Sequence, residues 1–447
     1  MEKKILFISL GCDKNLVDSE VMLGLLAEHG FLITNEEEEA DAIVVNTCCF
    51  IHDAKEESIT TILEMAKLKE TGKLKALIVT GCLAQRYKEE ILTEIEEVDA
   101  VLGSKSYDQI VETVNKALEG EKVQVYNDLG YMPKVEGERL VSTGSYYAYL
   151  KIAEGCDKRC TYCIIPSIRG QYQSVPMEQI IEEATRLAKQ GVKELILVAQ
   201  ETTVYGIDLY KEKRLPKLLK ELAKIQDIEW IRLLYCYPEE ITKELIQVMK
   251  EEEKICHYID MPIQHSEDDV LKRMGRKTNH QELKEIIGLL RKEIPDICIR
   301  TTLISGFPGE TLDHHEALLD FVDEMEFDRL GVFPYSQEED TVAAQFEDQI
   351  EEDEKQRRRN EIMELQQAIV FEQNEKMVGK EITVLIEGYL YEEDIYIGRT
   401  YKDAPNVDGT VFVQSEEELI SGDFVTVKIT NAKEYDLIGG VVYESAK

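Results

Sequence analysis

The sequence predicts an α/β protein in three parts: a doubly wound parallel sheet, a partial (β/α)6 barrel open on one side, and a small OB-like β-barrel. Three changes of rhythm along the 447 residues carry this prediction. Short apolar strands alternate with amphipathic helices up to about residue 120, the pattern of a parallel sheet covered on both faces. The alternation restarts near Tyr146 and runs for six units, too few for a closed eight-fold barrel. From about Lys380 the helices stop, and five short strands with turn residues between them follow within about 65 residues, as in a small barrel.

In the first part, residues 5–10, 41–45, 74–80 and 98–102 are apolar runs of strand length. Helical patterns fill the intervals at about 15–29, 54–69, 84–96 and 107–118. Three cysteines stand just past strand ends, in Leu10-Gly11-Cys12, Asn46-Thr47-Cys48 and Thr80-Gly81-Cys82. Open α/β sheets gather ligands at the carboxyl edge of their strands. Three thiols about 35 residues apart in sequence are therefore expected to converge there. Cys49 points elsewhere from a strand end and is read as packing.

A polar connection with Met132-Pro133 and Gly137 leads into the second part. Its strands are expected near 147–152, 195–199, 231–235, 257–261, 299–304 and 330–333, with helices at about 177–189, 216–225, 242–251, 280–292 and 312–325. The loop after the first strand carries Cys156, Cys160 and Cys163 in a CxxxCxxC spacing. A structural zinc site takes four closed ligands. An iron–sulfur cubane held by three cysteines instead leaves one iron without a protein ligand, open to chelation by an amino and a carboxylate group. Gln200 and Glu201 follow the second strand and are placed for polar contacts to such a ligand. Gly306, Gly309 and Glu310 follow the fifth, in a turn that either lets backbone approach a ligand closely or simply joins strand to helix. Cys236, Cys256 and Cys298 share no spacing and read as core. The histidines His265, His280, His314 and His315 lack ligand spacing and are expected at the surface. A long helix over about 351–376 should join this part to the third.

The third part spans strands near 382–386, 395–400, 409–413, 423–429 and 439–443. Barrels of this kind often bind RNA through basic grooves and stacked aromatics. Here residues 380–447 hold 6 Lys and Arg against 14 Asp and Glu, net −8, and the whole chain is net −37. Tyr389, Tyr391, Tyr396 and Tyr401 serve stacking or core packing equally well. Such an acidic surface repels phosphates and attracts basic partners, so stable nucleic-acid binding is not expected. No run approaches the roughly 20 apolar residues of a membrane span and none reads as a signal peptide, so the chain is expected to be cytoplasmic. Its ten cysteines then read as metal ligands and buried small side chains rather than disulfides.

Taken together, these features resemble a known family across nearly the whole chain. The CxxxCxxC spacing resembles the signature of the radical S-adenosylmethionine (SAM) enzymes. A flavodoxin-like domain with three spaced cysteines, a radical SAM partial barrel and a terminal TRAM barrel resemble the methylthiotransferases. Ser9-Leu10-Gly11-Cys12 through Ser19-Glu20, Glu154-Gly155-Cys156 through Arg169-Gly170, and Gly398-Arg399-Thr400 through Asp403-Ala404-Pro405 are similar to the RimO branch. Asp13 departs from it, where proline is expected. The MiaB branch, which modifies tRNA adenosine, is the alternative.

The resemblance implies domains at 1–125, 140–375 and 378–447, two 4Fe–4S clusters and SAM. It puts the radical-generating cluster on Cys156, Cys160 and Cys163 and an auxiliary cluster on Cys12, Cys48 and Cys82, and assigns no side chain as catalytic. It implies methylthiolation of the β-carbon of an aspartate in small-subunit ribosomal protein twelve, with flavodoxin or ferredoxin as electron donor.

Overall fold

A computed structural model describes residues 3–71, 74–134 and 137–443 of the chain. Two compact units emerge. The first takes in Met1–Ser142, Ala153–Gln173 and Ser336–Ala344, the second Thr143–Ile152, Ser174–Tyr335 and Gln345–Lys447.

The first unit is built on a six-stranded sheet in the order Leu32–Thr34, Lys4–Ser9, Ala42–Thr47, Ala76–Gly81, Ala100–Gly103, Val123–Val125. Every neighbouring pair is parallel. The three strands from Ala42 to Gly103 are buried at every residue, which explains their unbroken apolar runs. One face is covered by Met22, Leu26, Ile110 and Val114, the other by Ile62, Met65, Leu83 and Ile91, so the sheet is doubly wound as expected. The strand order reverses between Lys4–Ser9 and Ala42–Thr47, and in sheets of this order that reversal opens the ligand crevice.

Two details were not legible. Leu32–Thr34 and Val123–Val125 are edge strands of three residues, too short for a periodic signal. The helix expected over 84–96 is broken into Cys82–Tyr87 and Glu89–Glu94 by Lys88, which takes φ +44° with neither glycine nor proline to announce it. The segment Ser336–Ala344 belongs to this unit through Glu338, which pairs with Arg86 and Lys55 at 3.1 Å each.

The second unit holds a six-stranded parallel sheet in the order Arg329–Pro334, Cys298–Ser305, Ile255–Asp260, Trp230–Leu233, Glu194–Val198, Tyr147–Lys151. Helices Met177–Lys189 and Leu312–Met325 fall where the apolar periodicity puts them. The long helix runs over Glu352–Glu375. Beyond it, Glu381–Leu390, Ile395–Arg399, Val411–Gln414, Asp436–Val441 and Phe424–Lys433 close a five-stranded barrel around Val384, Ile386, Val413, Val427 and Ile429.

This barrel is fastened to the amino ends of the parallel strands. Glu194, at the start of its strand, accepts from Arg232 at 2.7 Å and from Arg399 of the barrel at 2.5 Å. Arg329 donates to Asp403, and Arg300 to Asp260 and Asp408 at 3.0 and 3.3 Å. Tyr258 donates to Asp408 at 2.8 Å. Glu194, Arg232, Arg399 and Asp403 are all buried. The Gly398–Pro405 run is therefore a plug of charge on the stability face of a β/α sheet, opposite the edge where such folds carry chemistry.

Candidate functional site

The carboxyl edge of the first unit's sheet brings Cys12, Cys48 and Cys82 together. Cys12 caps the helix Asp13–Glu28, Cys48 follows Ala42–Thr47, and Cys82 opens the helix after Ala76–Gly81. Cys12 and Cys48 thus flank the reversal of strand order. Gly11 has φ +88°, and a Cβ there would stand 2.6 Å from Cys48 Cβ, so only glycine lets the two chain segments close up. Ser58 fixes Cys48 by accepting its N–H at 3.1 Å and donating to its carbonyl at 2.9 Å.

Asn15 ties the three strand ends. Its Nδ2 donates to the carbonyls of Leu10 and Thr47 at 3.0 and 2.9 Å, and its Oδ1 lies 3.8 Å from Cys82 Sγ. Burial, with Cys82 and Cys12 close by, pushes the Cys48 thiol up to about 12. Burial also raises Cys82, while Arg169 opposes that rise. Two buried thiols that resist ionisation, gathered with a third, form a donor set whose thiolates need a positive partner. Among the described residues no group of three His, Cys, Asp or Glu is placed to hold a single metal ion. A cubane, which takes one thiolate per iron, fits this donor set.

The CxxxCxxC loop lies in the same compact unit. Cys156 and Cys160 are buried and Cys163 is half-buried. Gly155 has φ +76°, and a Cβ there would fall 2.2 Å from the Gln171 carbonyl oxygen. The loop is anchored by Cys156 N–H to Gly170 O at 3.1 Å, Cys163 N–H to Cys160 O at 3.1 Å, and Tyr172 N–H to Asp157 Oδ1 at 3.3 Å. Its exit helix, Ile165–Arg169, sends Ile168 into the same core as Val79 and Leu83.

That helix ends in a residue the sequence placed in a motif but gave no role. Arg169 is 1 % exposed. It donates to Asp18 Oδ2 at 2.7 Å, to Glu154 at 3.5 Å and to Asn15 Oδ1. Arg-Gly is a common dipeptide, and nothing local in it tells that the guanidinium reaches residues 151 and 154 positions earlier.

Cys49 is fully buried in the core under this sheet. Cys49→Ala is expected to keep its full iron and its activity while losing roughly 1 kcal/mol of stability. Iron assay and thermal melting check this, and loss of half the iron would make Cys49 a ligand.

In the second unit, Gln200 and Glu201 follow the strand Glu194–Val198, and Glu201 accepts from Thr203 at 2.8 Å. The turn after Cys298–Ser305 is held internally. Glu310 accepts the N–H groups of Gly306 and Phe307 at 2.8 and 3.2 Å and pairs with Arg358 at 2.8 Å. Lys355 fills the space above Gly306, and Arg273 and Asp348 that above Gly309. Two histidines correct the sequence reading. His265 is fully buried, and burial drives its pKa down to about 3. Its Nδ1 accepts the Glu267 N–H, and Nε2 stands 3.7 Å from Glu310. His315 is also buried, with Nε2 2.7 Å from Glu361. Both were expected outside because the flanking charges look like a surface helix. His265 instead lies on a strand-like extension bridged to Leu303. Cys236, Cys256 and Cys298 are buried, as expected.

Comparisons with known proteins bear on this arrangement. Residues 4–103 match the uncharacterized protein family UPF0004, residues 150–322 the radical SAM superfamily and residues 378–442 the TRAM domain. The chain is 65 % identical over 436 residues to a protein named ribosomal protein uS12 methylthiotransferase RimO from Lachnoclostridium phytofermentans, covering 98 % of this chain and 99 % of that one. It is 52 % identical to the protein of the same name from Clostridioides difficile, covering 99 % and 100 %. A solved structure of the radical S-adenosylmethionine methyltransferase TsrM from Kitasatospora setae is similar in fold, with TM-score 0.53 and 13 % identity over 75 % of each chain.

Proposed function

From the premise that the chain belongs to the ribosomal protein uS12 methylthiotransferase RimO family, we propose that it transfers a methylthio group to the β-carbon of an aspartate in ribosomal protein uS12. The observation that carries this reading is that two three-cysteine sets share one compact unit. A C–H bond of this kind offers no proton that a side-chain base could remove at neutral pH. When bound, two 4Fe–4S clusters and SAM supply the radical and the sulfur that the side chains cannot.

Cys156, Cys160 and Cys163 would hold the cluster that binds SAM. Cys12, Cys48 and Cys82 would hold the other. Gln200, Glu201, Gly306, Gly309 and Glu310 are the residues of the second unit that would supply polar and backbone groups to SAM, although the N–H groups of Gly306 and Gly309 are already donated to Glu310 and Asp348. The division into 1–125, 140–375 and 378–447 assigns sulfur delivery, radical generation and terminal barrel in that order. A flavodoxin or ferredoxin supplies electrons, and the reaction takes place in the cytoplasm. Among the described residues, no helix is long and apolar enough to cross a membrane.

The net charge of −37 supports a basic protein as substrate, because opposite charge speeds encounter and like charge opposes it. The reconstituted enzyme is expected to add a methylthio group to uS12, or to a peptide carrying its target aspartate, and to leave tRNA unmodified. Mass spectrometry of both substrates in one assay checks this. Association with uS12 should weaken as salt shortens the Debye length below about 8 Å. Methylthiolated tRNA adenosine beside inert uS12 would overturn the proposal.

A further inference from the structure

The dipeptide Arg169-Gly170 touches both cysteine sets. Its carbonyl at Gly170 receives the N–H of Cys156, the first cysteine of the CxxxCxxC loop, at 3.1 Å. Its Arg169 side chain reaches the other set, donating to the Asn15 amide oxygen that also stands 3.8 Å from Cys82 Sγ. Asn15 in turn fastens the strand ends that precede Cys12 and Cys48 through the Leu10 and Thr47 carbonyls. Asp18 and Glu154 hold the guanidinium in place from either side. All four side chains are buried.

We propose that Arg169 is a positioning residue that sets the reduction potential of the group held by Cys12, Cys48 and Cys82 and keeps that group in register with the CxxxCxxC loop. The inference rests on the cluster assignment above and deepens it. A buried cation next to a thiolate ligand stabilises the more negative, reduced form of a cluster, and hydrogen bonds toward the ligating sulfur act in the same direction. Arg169 reaches the Asn15 oxygen beside Cys82 Sγ, while Asp18 is paired to Arg169 itself. Removing the cation should therefore move the potential to more negative values even when its carboxylate partner is removed with it. The register has a chemical consequence too. If the two sites slip, radical formation at one continues while sulfur transfer from the other fails, so SAM is cleaved without product.

The test uses the full chain with Cys156, Cys160 and Cys163 changed to alanine, so that one cluster remains to be titrated. This background first has to hold about four irons. If it holds none, the cluster assignment fails, a result visible before any change at Arg169. Arg169→Lys keeps the charge but cannot span Asp18, Glu154 and Asn15 together. The pair Arg169→Gln with Asp18→Asn removes a cation and an anion at once, so no new net charge is left by the exchange. Both variants are expected to keep their iron and to titrate at a more negative potential, with an altered electron paramagnetic resonance signal. The shift should be larger in the double variant. With all cysteines restored, both should cleave SAM at the wild-type rate while methylthiolated product per SAM cleaved falls at least tenfold. Wild-type potential and coupling in both variants would overturn the proposal. So would loss of the iron in both, since Arg169 would then be a structural tie only.

Discussion

Changing Cys156, Cys160 and Cys163 together to alanine is expected to lower the iron of the anaerobically reconstituted chain from about eight atoms to about four. Reductive cleavage of SAM should vanish with it. The three side chains sit in a loop whose backbone is anchored independently of their thiols, by Tyr172 N–H to Asp157 and by Cys156 N–H to Gly170. The fold should therefore survive the change. The complementary triple variant at Cys12, Cys48 and Cys82 should also keep about four irons and, unlike the first, go on cleaving SAM. Iron and sulfide assays with quantitation of 5′-deoxyadenosine read both. A first variant that kept all its iron, or a wild type that never exceeded four, would rule out two separate clusters.

The second large effect is on stability. Glu194→Ala leaves Arg232 and Arg399 buried without the carboxylate they share. Removing one partner of a buried ion pair costs about 3–5 kcal/mol because the other charge stays behind, a large part of the roughly 5–15 kcal/mol that holds a folded domain together. A marked fall in the melting temperature is expected, and a melt within a degree of the wild type would refute the plug. The pH dependence has a definite sign. Burial alone would raise the Glu194 carboxyl, but Arg399 and Arg232 overcome it and hold it below the usual range. For Asp403, Arg329 and Thr400 likewise overcome burial. A carboxyl whose folded pKa is depressed contributes stability above its ordinary pKa and loses it as pH falls through the folded value. The wild type should therefore weaken from about pH 4 downward, and Glu194→Ala less steeply.

The parts of this molecule legible in the sequence are those governed by local pattern. Residues Met177–Lys189 and Leu312–Met325 show helical periodicity over several turns, and the buried strands from Ala42 to Gly103 are apolar runs bounded by turns. The positions of Cys12, Cys48 and Cys82 were legible for the same reason, since a strand end is a local feature and the sheet does the gathering. What was hidden depends on long-range pairing. Arg169 finds Asp18 across 151 residues, and Arg399 finds Glu194 across 205. In sequence each is a charged side chain of the kind normally solvated. His265 deceived because its neighbours Glu267, Asp268 and Asp269 look like a wet helix start, whereas the residue itself precedes that helix on a buried extension.

The plug at the amino ends of the second sheet also sets an order of events during synthesis. Glu194 leaves the ribosome 205 residues ahead of the arginine that completes its pairing. At about 5–20 residues per second that is a delay of roughly 10 to 40 s. By the later part of this interval the strands have gained Arg232, Arg300 and Arg329, but not yet Arg399, Asp403 or Asp408 of the barrel. A chain broken off before residue 399 never acquires them. Completion of the chain is thus written into the packing of its sheet, and unfinished copies should be cleared by proteases rather than accumulate.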